Sequence, residues 1–151
     1  MSPQAKELIQ IVQNAALRHS IFQKRGPGEG NRVTNAVMGD ANKQVRLIFG
    51  DSAVEQAFVP GVRQSIDYYL EETAEAIEVE FSLPNPYPCL EKDSFKVLLA
   101  RERGINVKRL ILVGPPGSRS RLSAPAPTAI IAYLRDEHDL EVTVCELNNV
   151  V

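Results

Sequence analysis

The stretch from Arg63 to Leu83, RQSIDYYLEETAEAIEVEFSL, decides how the chain is read. It scans as two strands joined by a tight acidic turn. The first strand carries Asp67; the second carries Glu78 and Glu80, which lie two apart and so share a face. Hairpin parity decides whether the third acid joins them. If Leu70 pairs with Glu75, the loop is Glu71 to Ala74 and Asp67 lies opposite Glu78. If Glu71 pairs with Ala76, Asp67 lies opposite Glu80. Either four-residue loop gathers the three acids on one face, whereas an odd-length loop sends Asp67 to the other.

Carboxylates held close on one sheet face repel and raise one another's pKa. A hard divalent cation relieves that cost, because Mg²⁺ and Mn²⁺ prefer oxygen ligands. The competing reading is a half-exposed hairpin with its acids in water, a common alternation. Two features weigh against it: Ile77, Val79 and Phe81 already supply one apolar face, and the following FSLPNPYP is not the polar exit of a surface strand.

Upstream, Ser2 and Pro3 suit an N-cap and first helical position, and the spacing predicts an amphipathic helix over Ala5 to Phe22. QKRGPGEGNR (23–32) reads as a loop; its glycines follow no strand and so lack the context of a dinucleotide-binding turn. Residues 35–43 suggest a short helix or turn. QVRLIF (44–49) reads as a strand, and 53–59 fits no single element. Val62 to Leu70 and Ala76 to Leu83 are the two acidic strands.

Downstream, Pro84, Pro86 and Pro88 predict an extended connection. LEKDSFKVLLARER (90–103) reads as a helix with Phe95, Leu98, Leu99 and Glu102 on one face and Gly104 as its C-cap. VKRLILV (107–113) is a buried-type strand. GPPGSRSR (114–121) reads as a loop; it has too few residues between its glycines, and no following lysine, for a phosphate-binding P-loop. A helix over Pro127 to Glu137 and a strand over Glu141 to Leu147 complete the chain. A strand, a helix and a strand in sequence predict a parallel crossover.

The 151 residues suggest one domain, 1–151, with an ordinary globular composition of 44% hydrophobic and 24% charged residues. A net charge of −2 excludes a global basic field for nucleic acid, so any such contact must be local. Cys89 and Cys145 have no metal-ligand spacing, which points to a reduced, cytoplasmic setting. No run approaches the ~18 apolar residues of a membrane span, and no secretory signal is read at the N-terminus.

This order of elements, together with Asp67 and the Glu78-Val79-Glu80 triplet, resembles the core of the PD-(D/E)xK nuclease superfamily, the restriction-endonuclease-like fold, over about residues 5 to 113. The resemblance implies an α/β fold: a central mixed sheet of about five strands flanked by helices. It implies Mg²⁺ or Mn²⁺ held by Asp67 and Glu78, and a catalytic set of Asp67, Glu78, Glu80 and Lys96. Glu80 stands where the family usually has lysine, and Ile66 where it tends to have proline before the Asp. Lys96 on the following helix would supply the missing cation; the alternative for Lys96 is a surface ion pair with Asp93. Glu7 resembles an acid that some members carry on the first helix.

The activity implied is metal-assisted hydrolysis of a DNA phosphodiester. Arg63, Lys108, Arg109, Arg119 and Arg121 are the basic residues expected to flank the acidic cleft and contact phosphate. DNA is the partner this resemblance implies, with a homodimer as one arrangement and no membrane. The small size, the absence of a separate recognition domain and the missing lysine support an alternative: a catalytically silent domain of the same fold acting as a binding or assembly module.

Overall fold

The computed structural model describes residues 1–19, 29–61, 65–81 and 86–148. Helix α1 (Pro3–Arg18) starts as the sequence suggests: the Ser2 Oγ accepts the Ala5 N–H at 3.0 Å and Pro3 opens the first turn. Helix α2 (Glu29–Phe49) follows and packs along α1. The expected strand at 44–49 is therefore helical. Val37, Ala41 and Val45 recur every fourth residue and are fully buried, while Leu47 and Ile48 are left in solvent. Burying each such valine side chain contributes about 1.5–3 kcal/mol, far more than the β preference of a short apolar run. Asp40 sits inside α2 without breaking it, because Arg18 at the end of α1 (2.9 Å) and the Nε2 of its C-cap His19 (3.2 Å) engage its carboxylate.

A short 3₁₀ turn (Asp51–Ala53) leads into edge strand β1 (Val54–Gln56). Strands β2 (Ile66–Leu70) and β3 (Glu75–Val79) form the acidic hairpin, with Tyr68 opposite Ile77 and Leu70 opposite Glu75. The loop is thus Glu71 to Ala74, the first of the two parities considered. Ala74 takes a left-handed conformation (φ 54°) as its last residue.

Helix α3 (Pro86–Glu102) begins earlier than expected, using Pro86 and Pro88 in its first turn, where the missing N–H groups cost nothing. Gly104 (φ 84°) closes α3: the Ile105 N–H reaches the Ala100 carbonyl and the Gly104 N–H the Arg101 carbonyl. Strand β4 (Arg109–Gly114) runs parallel to β3. The expected 114–121 loop contains a short helix, α4 (Ser118–Leu122), after a turn at Gly117. Helix α5 (Pro125–His138) and strand β5 (Glu141–Glu146), parallel to β4, follow.

The result is an α/β fold with a five-stranded mixed sheet, order β1-β2-β3-β4-β5. One sheet face packs on α1 and α2 through Tyr68, Leu70, Ile77, Ile111 and Val113. The other packs on α3 and α5 through Tyr69, Ala76, Leu110 and Leu112. On α3 the stripe turned inward is Leu90, Asp93, Val97 and Ala100, not the expected Phe95 face; Phe95 is 58% exposed and Asp93 fully buried. Among the described residues no helix is long and apolar enough to cross a membrane.

Candidate functional site

One step beyond the Tyr68–Ile77 pair, Asp67 stands across from Glu78. Tyr68 and Ile77 point to the α1/α2 side, so strand alternation turns Asp67, Glu78 and Glu80 towards α3. The acidic face is therefore covered by a helix. Asp67 is held by the Val79 N–H, which donates to its Oδ2 at 2.8 Å.

Helix α3 answers with two lysines one turn apart. The Lys96 Nζ lies 2.7 Å from the Glu78 Oε1 and 3.1 Å from the Asp93 Oδ1, and donates to the Ser65 carbonyl at 3.0 Å. Lys92 donates to the Glu80 Oε1 at 2.7 Å and stands 3.6 Å from the Asp93 Oδ1. A ladder of alternating charge runs from Glu80 through Lys92, Asp93 and Lys96 to Glu78. The Lys96–Glu78 contact is an ion pair that lies off the line of a directed hydrogen bond. The Glu78 Oε1 and both Asp93 oxygens thus have no directed donor.

Burial governs the electrostatics. Glu78 is 3% exposed. Removal from water, followed by the negative charges of Asp67 and Asp93, pushes its pKa up to about 9 against the pull of Lys96. Burial likewise raises Asp67, with the Val79 N–H and Lys96 opposing, and raises Asp93 against the two lysines. Burial disfavours the charge on Lys96, but Glu78 and Asp93 outweigh it and hold its pKa above the ordinary value. At neutral pH Glu78 keeps its proton beside the Lys96 ammonium. Beside Glu78, a mostly apolar hollow lined by Glu80, Cys89, Leu112 and Leu122 has room for about one water molecule.

The two carboxyls suit a hard cation in kind, since both offer oxygen and the Glu78 Oε1 lacks a directed donor. Among the described residues no three acidic, histidine or cysteine side chains form a ready-made cage. Asp67 and Glu78 would be the protein ligands of such an ion, but the Lys96 ammonium stands 2.7 Å from the Glu78 Oε1 and the adjoining hollow has room for about one water, so the closed site does not fit a hydrated divalent ion.

The structure brings Asp67, Glu78, Glu80 and Lys96 together. Of the basic residues expected around them, it parts Lys108 and Arg109 from the acids and leaves Arg119 and Arg121 on the nearer side. Lys108 and Arg109 lie at the opposite end of the sheet, where the Arg109 Nη1 donates to the Glu75 Oε1 at 3.2 Å. Arg119 and Arg121 are on α4, beyond the strand end nearest Glu80, whose N–H bonds the Val113 carbonyl. Arg119 is partly occupied: its main-chain N–H donates to the Glu146 Oε1 (2.7 Å) and its Nε to the Val144 carbonyl (3.2 Å). Arg63 lies outside the described residues. Glu7 is exposed on α1, across the sheet from the acids. Sequence reasoning missed Lys92 and underrated Asp93. The legible signal was a carboxylate inside the Leu90-Asp93-Val97 stripe, spaced i, i+3, i+7 on a helix face that must be buried.

No family model, curated protein or solved structure matches this chain.

Proposed function

We propose that this protein is a metal-dependent phosphodiesterase acting on DNA, of the restriction-endonuclease-like kind. The observation that carries the reading is the meeting of Asp67 and Glu78 across the β2–β3 hairpin with the Lys96 ammonium 2.7 Å from Glu78. Two acids on adjacent strands and a lysine from the next helix would stand in for the acid–acid–lysine set that the triplet lacks in sequence.

A divalent ion held by Asp67 and Glu78 would supply Lewis-acid polarisation of the phosphoryl oxygen. Glu80, 28% exposed at its side chain and oriented by Lys92, is placed at the open edge, where it would orient or deprotonate the attacking water. Lys96 would meet the negative charge that grows on the phosphorus oxygens in the transition state. Arg119 and Arg121 would hold the DNA backbone from α4. The test is nicking of DNA in Mg²⁺ or Mn²⁺ by the wild-type protein and by Asp67→Asn and Glu78→Gln.

A second reading, a catalytically silent module, rests on a different observation. Lys96 is already engaged by three oxygens and Asp93 is fully buried, so the ladder also serves as a fold-defining ion network. On that reading the protein folds and binds without cutting.

A further inference from the structure

At the Glu75 end of the sheet, the β2–β3 turn borders a groove made of two adjoining hollows of about 320 and 480 Å³. The first lies between the end of α2 and the turn, with Ile48, Phe49 and Leu70 as its apolar wall. The second runs on to Phe58 and the loop after α3. Tyr69 and Glu71 line both hollows, so the groove is continuous, and its size is that of a ligand-binding cleft. Ile48 forms its lip with 55% of its surface in water, and Leu47 beside it is 86% exposed. A single exposed apolar side chain needs no explanation, but a pair at the lip of a groove marks an interaction surface.

Charge decides what fits. Glu71 and Glu72 line the groove and no lysine or arginine does; among the described residues neither carboxylate forms an ion pair. By contrast, Asp40, Glu75, Glu78 and Glu80 each meet a cation. An aromatic wall stands beside the unanswered charge. Phe58 meets Tyr69 edge to face with ring centroids 5.2 Å apart, and the Tyr69 hydroxyl donates to the Asn106 carbonyl at 3.0 Å, which fixes the ring. Burial and the nearby Glu71 charge both raise the Tyr69 pKa. A guanidinium matches this pairing of ring and carboxylate, because it stacks on the one and forks onto the other.

We propose that this groove docks a segment of another protein that carries an arginine next to an apolar residue. The arginine lies against Phe58 and Tyr69 and pairs with Glu71; its apolar neighbour seats on Ile48 and Phe49. The inference stands apart from the nuclease reading, since none of Asp67, Glu80 and Lys96 lines the groove.

The test is fluorescence polarisation with a labelled hexapeptide that alternates leucine and arginine, on the wild-type protein and on E71Q and I48S. Both substituted side chains are exposed, and folding is checked by circular dichroism. The hexapeptide should bind the wild-type protein, with an affinity that falls as salt rises. E71Q should weaken binding at least about fivefold and I48S at least about threefold. A hexapeptide with glutamate in place of arginine should not bind. On the wild-type protein, the bound peptide should shift the backbone amide resonances of Ile48, Phe58, Tyr69 and Glu71 and leave those of α5 unmoved. No binding, equal binding to wild type and E71Q, or shifts centred on another surface overturns the inference. Free arginine amide or spermidine binding as tightly as the hexapeptide also overturns it, and makes the groove a site for small cations instead.

Discussion

The Lys96 Nζ stands 2.7 Å from the Glu78 Oε1, bridging a helix to the acidic hairpin through a contact almost wholly removed from water. The behaviour of the site follows from that pair. Breaking a buried pair from one side typically costs about 3–5 kcal/mol, because a charge is left without compensation. Here the stranded carboxyls can take up protons instead.

Lys96→Met should therefore destabilise the protein in a pH-dependent way. Near pH 5 Glu78 keeps its proton in both proteins and the loss is small; as pH rises through about 9, wild-type Glu78 ionises beside Lys96, the variant has no cation to receive that charge, and the loss grows. Thermal melts at the two ends of this range check it: the melting-temperature deficit should widen towards alkaline pH.

Glu78 predicts the opposite sign for its own removal. Its folded pKa, about 9, lies above the usual carboxyl value of 4.5, so the folded state holds the extra proton between the two. Its contribution to stability is fully present below about pH 4.5 and is lost as pH rises through about 9. Glu78→Gln should flatten the fall in melting temperature across that window and exceed wild type at its alkaline end by about 4 °C or more. A variant that melts in parallel with wild type at every pH would refute the assignment.

Glu75 is a structural counterpart at the far end of β3. It is buried, and it accepts from the Ser2 N–H (2.9 Å), the Ser2 hydroxyl, the Thr73 hydroxyl (2.9 Å) and Arg109 (3.2 Å). Burial raises its pKa, but these donors outweigh it and leave the pKa below the ordinary value. Its contribution is present above the unfolded carboxyl pKa and lost as pH falls through the folded one. Glu75→Gln should cost about 1–3 kcal/mol at neutral pH, measured by urea unfolding, with Mn²⁺ affinity unchanged.

How much of this was legible beforehand varies by element. The hairpin parity, the Ser2 cap and the Gly104 C-cap follow from local rules, and each is realised. QVRLIF misled because six residues with a dense apolar run carry little periodic information. The deciding residues, Val37 and Ala41, lie outside it, and burial along α1 outweighed the β preference. On α3, packing the largest side chains inward would bury Phe95. The sheet instead presents Asp67, Glu78 and Glu80, and a helix laid over carboxyls must turn its lysines towards them. That rotation exposes Phe95 and buries Asp93. The cause is a long-range charge requirement, invisible to a count within one helix.

The helical reading of 44–49 has its own check. Val45→Asp, which buries a charge between α1 and α2, should prevent cooperative folding, whereas Leu47→Glu, at an 86% exposed position, should change stability by no more than about 0.5 kcal/mol. A strand with inside–outside alternation would group positions 45 and 47 on one face and make both substitutions severe.

The central claim is that Asp67 and Glu78 support metal-dependent cleavage of DNA. Its most direct test is conversion of supercoiled plasmid to nicked product by purified protein in Mg²⁺ or Mn²⁺, with single-stranded and branched DNA in parallel. The account predicts slow nicking by wild type that chelation stops and that Asp67→Asn or Glu78→Gln lowers at least about a hundredfold. Folded, metal-supplied wild-type protein that cuts none of the three substrates would contradict it.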